Sequence, residues 1–236
     1  MKVLVIPDVH LKPDMFHHAA KLLSSGIAEQ AVCLMDIADD WYRQLHINLY
    51  EETYDAAISF AKKFPNTHWC YGNHDLSYQW GCLETGYSPY AESTVLRKLS
   101  EFHRSLKDES LLSYVHRIDN VLFSHGGVTQ RFVRRHVPSK NFFDPEQALT
   151  VINSLGSQEM WIDYSPIWAR PQDGRMKMYQ EDELLQVVGH TPVKAIHQTG
   201  NLISCDVFST YSDGSPIGTR EYLLLDTETW QWEGVK

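Results

Sequence analysis

Lys2-Val3-Leu4-Val5-Ile6-Pro7-Asp8-Val9-His10 joins a short apolar run to a loop carrying a carboxylate and an imidazole. A strand buried on both faces loses its polar alternation and reads as such a run, so Lys2 to Pro7 predicts a core strand feeding a functional loop. Phe16, Ala19, Ala20 and Leu23 come next at the spacing of one helical face, and Gly26 is placed to stop that helix. The pattern then recurs. Ala31 to Met35 is strand-like and runs into Asp36, Tyr54, Ala57, Ile58, Ala61 and Phe64 mark a second amphipathic helix, and Thr67 to Tyr71 is a third strand. This order predicts a β-α-β-α-β half with parallel strands, whose ligand sites fall at the strands' carboxyl ends.

Downstream, 77–110 and 128–175 read as cap-like insertions in a single domain spanning 1–236. The first holds an aromatic loop and a helix begun by Ser88-Pro89 that carries Val95, Leu99, Phe102 and Leu106. The second holds a helix capped by Asp144 and opened by Pro145. Leu111 to His116 and Asn120 to Ser124 read as paired strands. Leu184 to Val188, Asn201 to Cys205 and Glu221 to Leu225 add three more, the last in a hairpin with Trp230 to Trp232. Twenty-one Lys and Arg against thirty Asp and Glu give a net charge of −9, which argues against an extended nucleic-acid surface. Arg131, Arg134 and Arg135 read as an exposed face. No apolar run reaches membrane-spanning length and nothing resembles a signal peptide, so a cytoplasmic protein is expected.

Five polar clusters each come directly after an apolar run: Asp8-Val9-His10, Asp36 with Asp39, Gly72-Asn73-His74-Asp75, Ser124-His125-Gly126-Gly127 and Gly189-His190-Thr191-Pro192. Loops at one sheet edge converge, so these groups are expected in one pocket. Mixed nitrogen and oxygen donors suit Mn, Fe, Zn or Ni better than Mg or Ca. Two such ions roughly 3.5–4 Å apart would polarise a phosphoryl group and acidify a shared water. Asp36 can bridge them, Asp8 and His10 completing one site and Asn73, His125 and His190 the other. His74, beside Asn73, is the expected proton donor to the leaving oxygen, with Asp39 orienting it.

In this order the blocks resemble the calcineurin-like metallophosphoesterases, and most closely the phosphoprotein phosphatase and diadenosine polyphosphate hydrolase branch. The resemblance runs from Asp8 to about Asp206. It implies an α/β fold of two packed mixed β-sheets flanked by helices, and a hydrolase acting on a phosphate ester or anhydride of a small phosphorylated substrate, nucleotides included. A phosphomonoesterase and a non-catalytic metal-binding scaffold are the alternatives. Pro192 stands where other branches carry a second His of the Gly-His block.

Pro7 and Met35 occupy positions where members usually have Gly, and Asp40-Trp41 replaces an Arg-Gly pair that would clamp phosphate. Arg170, in Trp168-Ala169-Arg170-Pro171, is the candidate replacement, with Arg43 as the second. A missing clamp near an acidic loop disfavours a dianionic monoester, so an anhydride or diester is expected. Tyr78, Trp80, Tyr87 and Trp161 are expected to pack the insertions, with base stacking as their other reading.

Overall fold

The computed structural model describes residues 1–236. Val3 to Ile6 expose no surface, because strand β1 (Lys2–Ile6) lies inside a six-stranded sheet with both faces covered. Helix α1 (Asp14–Ser24) turns Met15, Phe16, Ala19 and Leu23 to the core and ends before Gly26, the predicted stop, whose φ of 80° is left-handed. Next come β2 (Gln30–Cys33), α2 (Ile47–Lys63) and β3 (His68–Cys70). β1, β2 and β3 run parallel, Val3 opposite Gln30 and Val32 opposite His68, as the repeated pattern predicts.

Within 73–111, α3 (Asn73–Trp80) is succeeded by α4 (Glu92–Ser105). The latter begins four residues after Ser88, whose Oγ closes a turn by accepting the Ala91 N–H at 3.1 Å; the helix therefore starts later than its Ser-Pro signal predicts. Val95, Leu99 and Phe102 on α4 join the main core, so this segment packs on the body of the sheet rather than standing off it.

Leu111–His116, read as one strand, serves two sheets. β4 (Leu112–Ser113) pairs with β3, and after Tyr114 the chain enters β5 (Val115–Ile118), which forms a hairpin with β6 (Val121–Ser124). One apolar run conceals the crossing because both sheets bury it. Helices α5 (Gln130–His136), α6 (Pro145–Asn153) and α7 (Ser157–Met160) cover the second sheet with a separate apolar cluster that includes Phe132, Leu149, Ile152 and Met160. Asp144 caps α6 by accepting the Gln147 N–H, with Pro145 in the first turn.

β7 (Leu185–Val188), β8 (His197–Thr199) and β9 (Leu202–Ser204) complete the second sheet in the order β5-β6-β7-β9-β8. β8 is fully exposed and carries no apolar signal, so sequence pattern alone misses it. β10 (Tyr222–Asp226) returns antiparallel to β1, and its hairpin partner β11 lies at Trp232–Val235, two residues beyond the predicted start, giving the first sheet the order β11-β10-β1-β2-β3-β4. The result is α/β with two mixed sheets flanked by helices. Val121, Phe123, Leu185, Val187 and Ile203 of the second sheet share one core with the first. No helix is long and apolar enough to cross a membrane.

Candidate active site

Because β1, β2, β3, β6, β7 and β9 all end at one edge, the loops after them meet there. His10, Met35, Asp36, Asp39 and His190 have φ between 44° and 63°, a left-handed conformation rare outside glycine. Such strain persists where the surroundings hold it, and here it turns consecutive loop residues into one pocket. Met35, at φ 55°, occupies a position where the resembling family usually has Gly, and here a full side chain sits on a left-handed backbone. Two glycines are needed for close approach. A Cβ on Gly72 would fall on Oδ1 of Asp36, and one on Gly189 on Oδ1 of Asp8.

Oδ2 of Asp36, Oδ1 of Asn73 and Nδ1 of His190 lie 3.1, 3.0 and 3.1 Å from Nε2 of His125. The His125 Nδ1 faces the Leu34 carbonyl at 3.0 Å, and since a carbonyl only accepts, Nδ1 carries the hydrogen. In neutral His125 the Nε2 lone pair then points at the Asp36 and Asn73 oxygens and at the Nδ1 ring nitrogen of His190, a cluster of donor atoms that a cation satisfies. Burial opposes charge on His125, but Asp36 and Asp8 outweigh it and hold its pKa up to about 9. Two further buried atoms, Asp8 Oδ1 and His190 Nε2, have no hydrogen-bond partner. The residues present therefore fit a metal with mixed nitrogen and oxygen donors.

A second group forms around His10, Asp36 and His74, whose donor atoms lie within 4.8 Å of one another. His10 Nδ1 donates to the Asp39 carbonyl at 3.0 Å, which leaves Nε2 facing Asp36 Oδ2 at 3.9 Å. Asp8 is not in this group: its Oδ2 lies 3.8 Å from His125 Nδ1 and accepts the His190 backbone N–H at 2.7 Å. Burial, and then neighbouring Asp206, push the Asp8 carboxyl well up. Burial also works against charge on Asp36, yet His125 and His74 hold it below the usual carboxylate range. The first turn of α3 helps by donating the His74 backbone N–H to Asp36 Oδ1 at 3.0 Å.

His74 Nδ1 meets Asp39 Oδ2 at 3.0 Å. The other oxygen of Asp39 accepts from the hydroxyls of Tyr50 at 2.9 Å and Tyr78 at 2.6 Å, so the carboxylate is fixed from two sides. Burial lowers the basicity of His74, but Asp36, Asp39 and Glu84 together raise its pKa to about 10. Arg170 lines the same cavity of about 600 Å³, its Nη1 donating to the His190 carbonyl at 2.8 Å and to Thr191 Oγ1 at 3.2 Å.

Arg43 is not brought there. It is exposed, turns towards His46 and does not line the cavity, because the loop after β2 points its side chain outward. Asp40 does line the cavity, but Lys12 neutralises it at 3.1 Å and Thr210 Oγ1 donates to it, so it adds less repulsion than an isolated carboxylate. The insertion aromatics pack: Tyr87 stacks on Tyr78 at 4.3 Å, and Trp80 meets Trp161 edge-on at 5.9 Å. None of these four lines the cavity.

Two acidic residues here escaped the sequence reading. Asp206 lies two residues beyond β9 and is buried, so the strand-end signal was present. Glu84 comes from the loop after α3, where no apolar run announces it. Its carboxylate accepts from Asn73 Nδ2 and lies 3.2 Å from His74 Nδ1.

The family model of calcineurin-like phosphoesterases matches residues 1–214. No curated protein matches in sequence. Among solved structures, the chain is similar to a cold-active protein-tyrosine phosphatase of a psychrophile Shewanella sp., at 18% identity and a TM-score of 0.61, covering 100% of this chain and 80% of that one. A second structure of a cold-active protein tyrosine phosphatase is 19% identical with a TM-score of 0.58, covering 99% of this chain and 78% of that one. At these identities the likeness shows the fold. The match over nearly the whole chain, on a fold of two mixed sheets that gathers His and Asp donors at one edge, establishes that the chain belongs to the calcineurin-like phosphoesterase family and is a hydrolase of phosphate esters.

Proposed function

We propose that the chain hydrolyses a small phosphate ester or anhydride with two metal ions, one held by Asp8, His10 and Asp36 and the other by Asp36, Asn73, His125 and His190. The convergence of Asp36 Oδ2, Asn73 Oδ1 and His190 Nδ1 on His125 Nε2, all within 3.1 Å, carries this reading. Mn, Fe, Zn or Ni suits that donor set. When bound, such ions neutralise phosphoryl charge and favour ionisation of the attacking water.

The chain's own groups complete the reaction. Arg170 presents the N–H groups not engaged by His190 and Thr191 to the phosphoryl oxygens. His74, held through Nδ1 by Asp39, keeps a proton at Nε2 and delivers it to the departing oxygen. Tyr50 and Tyr78 keep Asp39 in place, so imidazole orientation survives substrate entry. Glu84 pins the Asn73 amide with its oxygen towards His125.

The test is turnover of aryl monoesters, aryl diesters, nucleotides, dinucleoside tetraphosphates and a phosphopeptide by chelator-stripped protein, with and without added manganese. Manganese-dependent release of phosphate or alcohol is expected. Protein that binds two ions yet turns over no member of the panel would contradict the proposal and favour a scaffold.

A further inference from the structure

Beyond the metal-side histidines and carboxylates, the cavity is walled by the loop after β2 and by 206–217. Trp41, Tyr42 and Tyr211 stand in that wall, 47%, 76% and 50% exposed. Only four Trp or Tyr side chains in the chain are exposed, and three of them are these. The indole of Trp41 is not loose, since its Nε1 donates to the Thr210 carbonyl at 2.9 Å and ties the two loops together. Leaving large aromatic faces in water forgoes the burial that stabilises most such side chains, so their concentration at one mouth points to a planar ligand.

Charge narrows the ligand further. Arg170 is the one Lys or Arg side chain lining the cavity, whereas Asp36, Asp39, Asp40 and Asp206 all line it. Lys12, nearby, is engaged by Asp40 and by the His10 carbonyl at 2.9 Å. Each additional phosphate would need its own cations, and the outer wall offers aromatic rings among neutral side chains such as Gln44, Ser209 and Ser212 instead.

Resting on the phosphoesterase reading above, we infer that the substrate carries a single phosphoryl group joined to a planar ring, with the ring against Trp41, Tyr42 and Tyr211. This departs from the sequence-based expectation of an anhydride or diester, and it moves ring recognition from the insertion aromatics to the loops after β2 and β9. The ring can be a phenyl group or a nucleobase, both of which present the same flat face.

The experiment compares kcat/KM for benzyl phosphate, propyl phosphate, a nucleoside 5′-monophosphate and a dinucleoside tetraphosphate, using manganese-loaded protein. Benzyl and propyl phosphate are both esters of primary alcohols, so their difference reads ring recognition more than leaving-group chemistry. At least a tenfold preference for a ring-bearing monophosphate over propyl phosphate is expected, and which of the two leads separates a phenyl from a nucleobase ligand. Trp41→Ala and Tyr211→Ala should each shrink that preference about fivefold, while Trp41→Phe, which keeps a ring, should retain most of it. Equal loss on ring-bearing and propyl esters, or a preference for the tetraphosphate, would overturn the inference and leave the phosphoesterase reading standing. No turnover of any of the four would overturn both.

Discussion

Both carboxylate oxygens of Glu84 stand 2.8 Å from Nδ2 of Asn73. An amide so gripped cannot flip, and its oxygen is left facing His125 Nε2. Glu84→Leu should therefore weaken metal binding at the Asp36, Asn73, His125 and His190 group by about 10- to 100-fold, the usual effect of removing a group that orients a ligand. Glu84→Gln, which still accepts one hydrogen bond, should lose less. Titrating manganese into stripped protein checks this, and wild-type affinity in Glu84→Leu would contradict it.

His74→Ala should lower turnover of alkyl esters on the order of 10²–10⁴-fold while leaving metal content intact. The loss should shrink on nitrophenyl phosphate, whose leaving group scarcely needs a proton. Asp39→Asn should give a milder form of the same selectivity, because its amide would turn an N–H towards the His74 Nδ1–H. Parallel loss on good and poor leaving groups would assign His74 another role.

Arg170→Ala should lower kcat/KM for the preferred ester by about 10- to 100-fold, the equivalent of one charged hydrogen bond worth about 1.5–3 kcal/mol. Arg43→Ala, facing away from the cavity, should change it less than twofold. Reversal of that order would move the phosphate clamp to Arg43.

His116 gives the fold an acid sensitivity of its own. Its ring stacks on His68 at 4.5 Å, with Nε2 on the Trp69 carbonyl at 2.9 Å, and burial together with repulsion from His68 lowers its pKa to about 3. The unfolded chain takes up that proton near pH 6.5, so stability from this group is intact above that pH and declines as pH falls towards 3, by about 2 kcal/mol at pH 5. His116→Gln keeps an N–H for the carbonyl but does not titrate. Urea midpoints of metal-free protein at pH 7 and pH 5 should converge in the variant; an unchanged acid loss would contradict the assignment.

Much of the site was legible because Asp8, Asp36, Asn73, His125 and His190 each stand just past a buried strand, and strands sharing an edge deliver their trailing loops to one place. That logic also covers Asp206, which only the structure brought to notice beside Asp8. It cannot reach Glu84, which enters from a loop packed over His74, nor Trp41 and Tyr211, which line one cavity from distant loops joined by the hydrogen bond from the Trp41 indole to the Thr210 carbonyl. In the fold, the passage from β4 to β5 was hidden since burial in two sheets looks the same as burial in one. β8 was missed because an exposed polar strand has no pattern to show.

Asp36 is the residue shared by the two proposed metal sites, so a count of bound metal in Asp36→Asn against wild type tests the central claim most directly. Elemental analysis after manganese loading should find about two ions per chain in fully active wild-type protein. In Asp36→Asn both should be depleted together with activity, whereas His10→Ala and His190→Ala should each deplete mainly one. Full activity with a single ion, or an Asp36→Asn variant that keeps both ions and its turnover, would contradict the account.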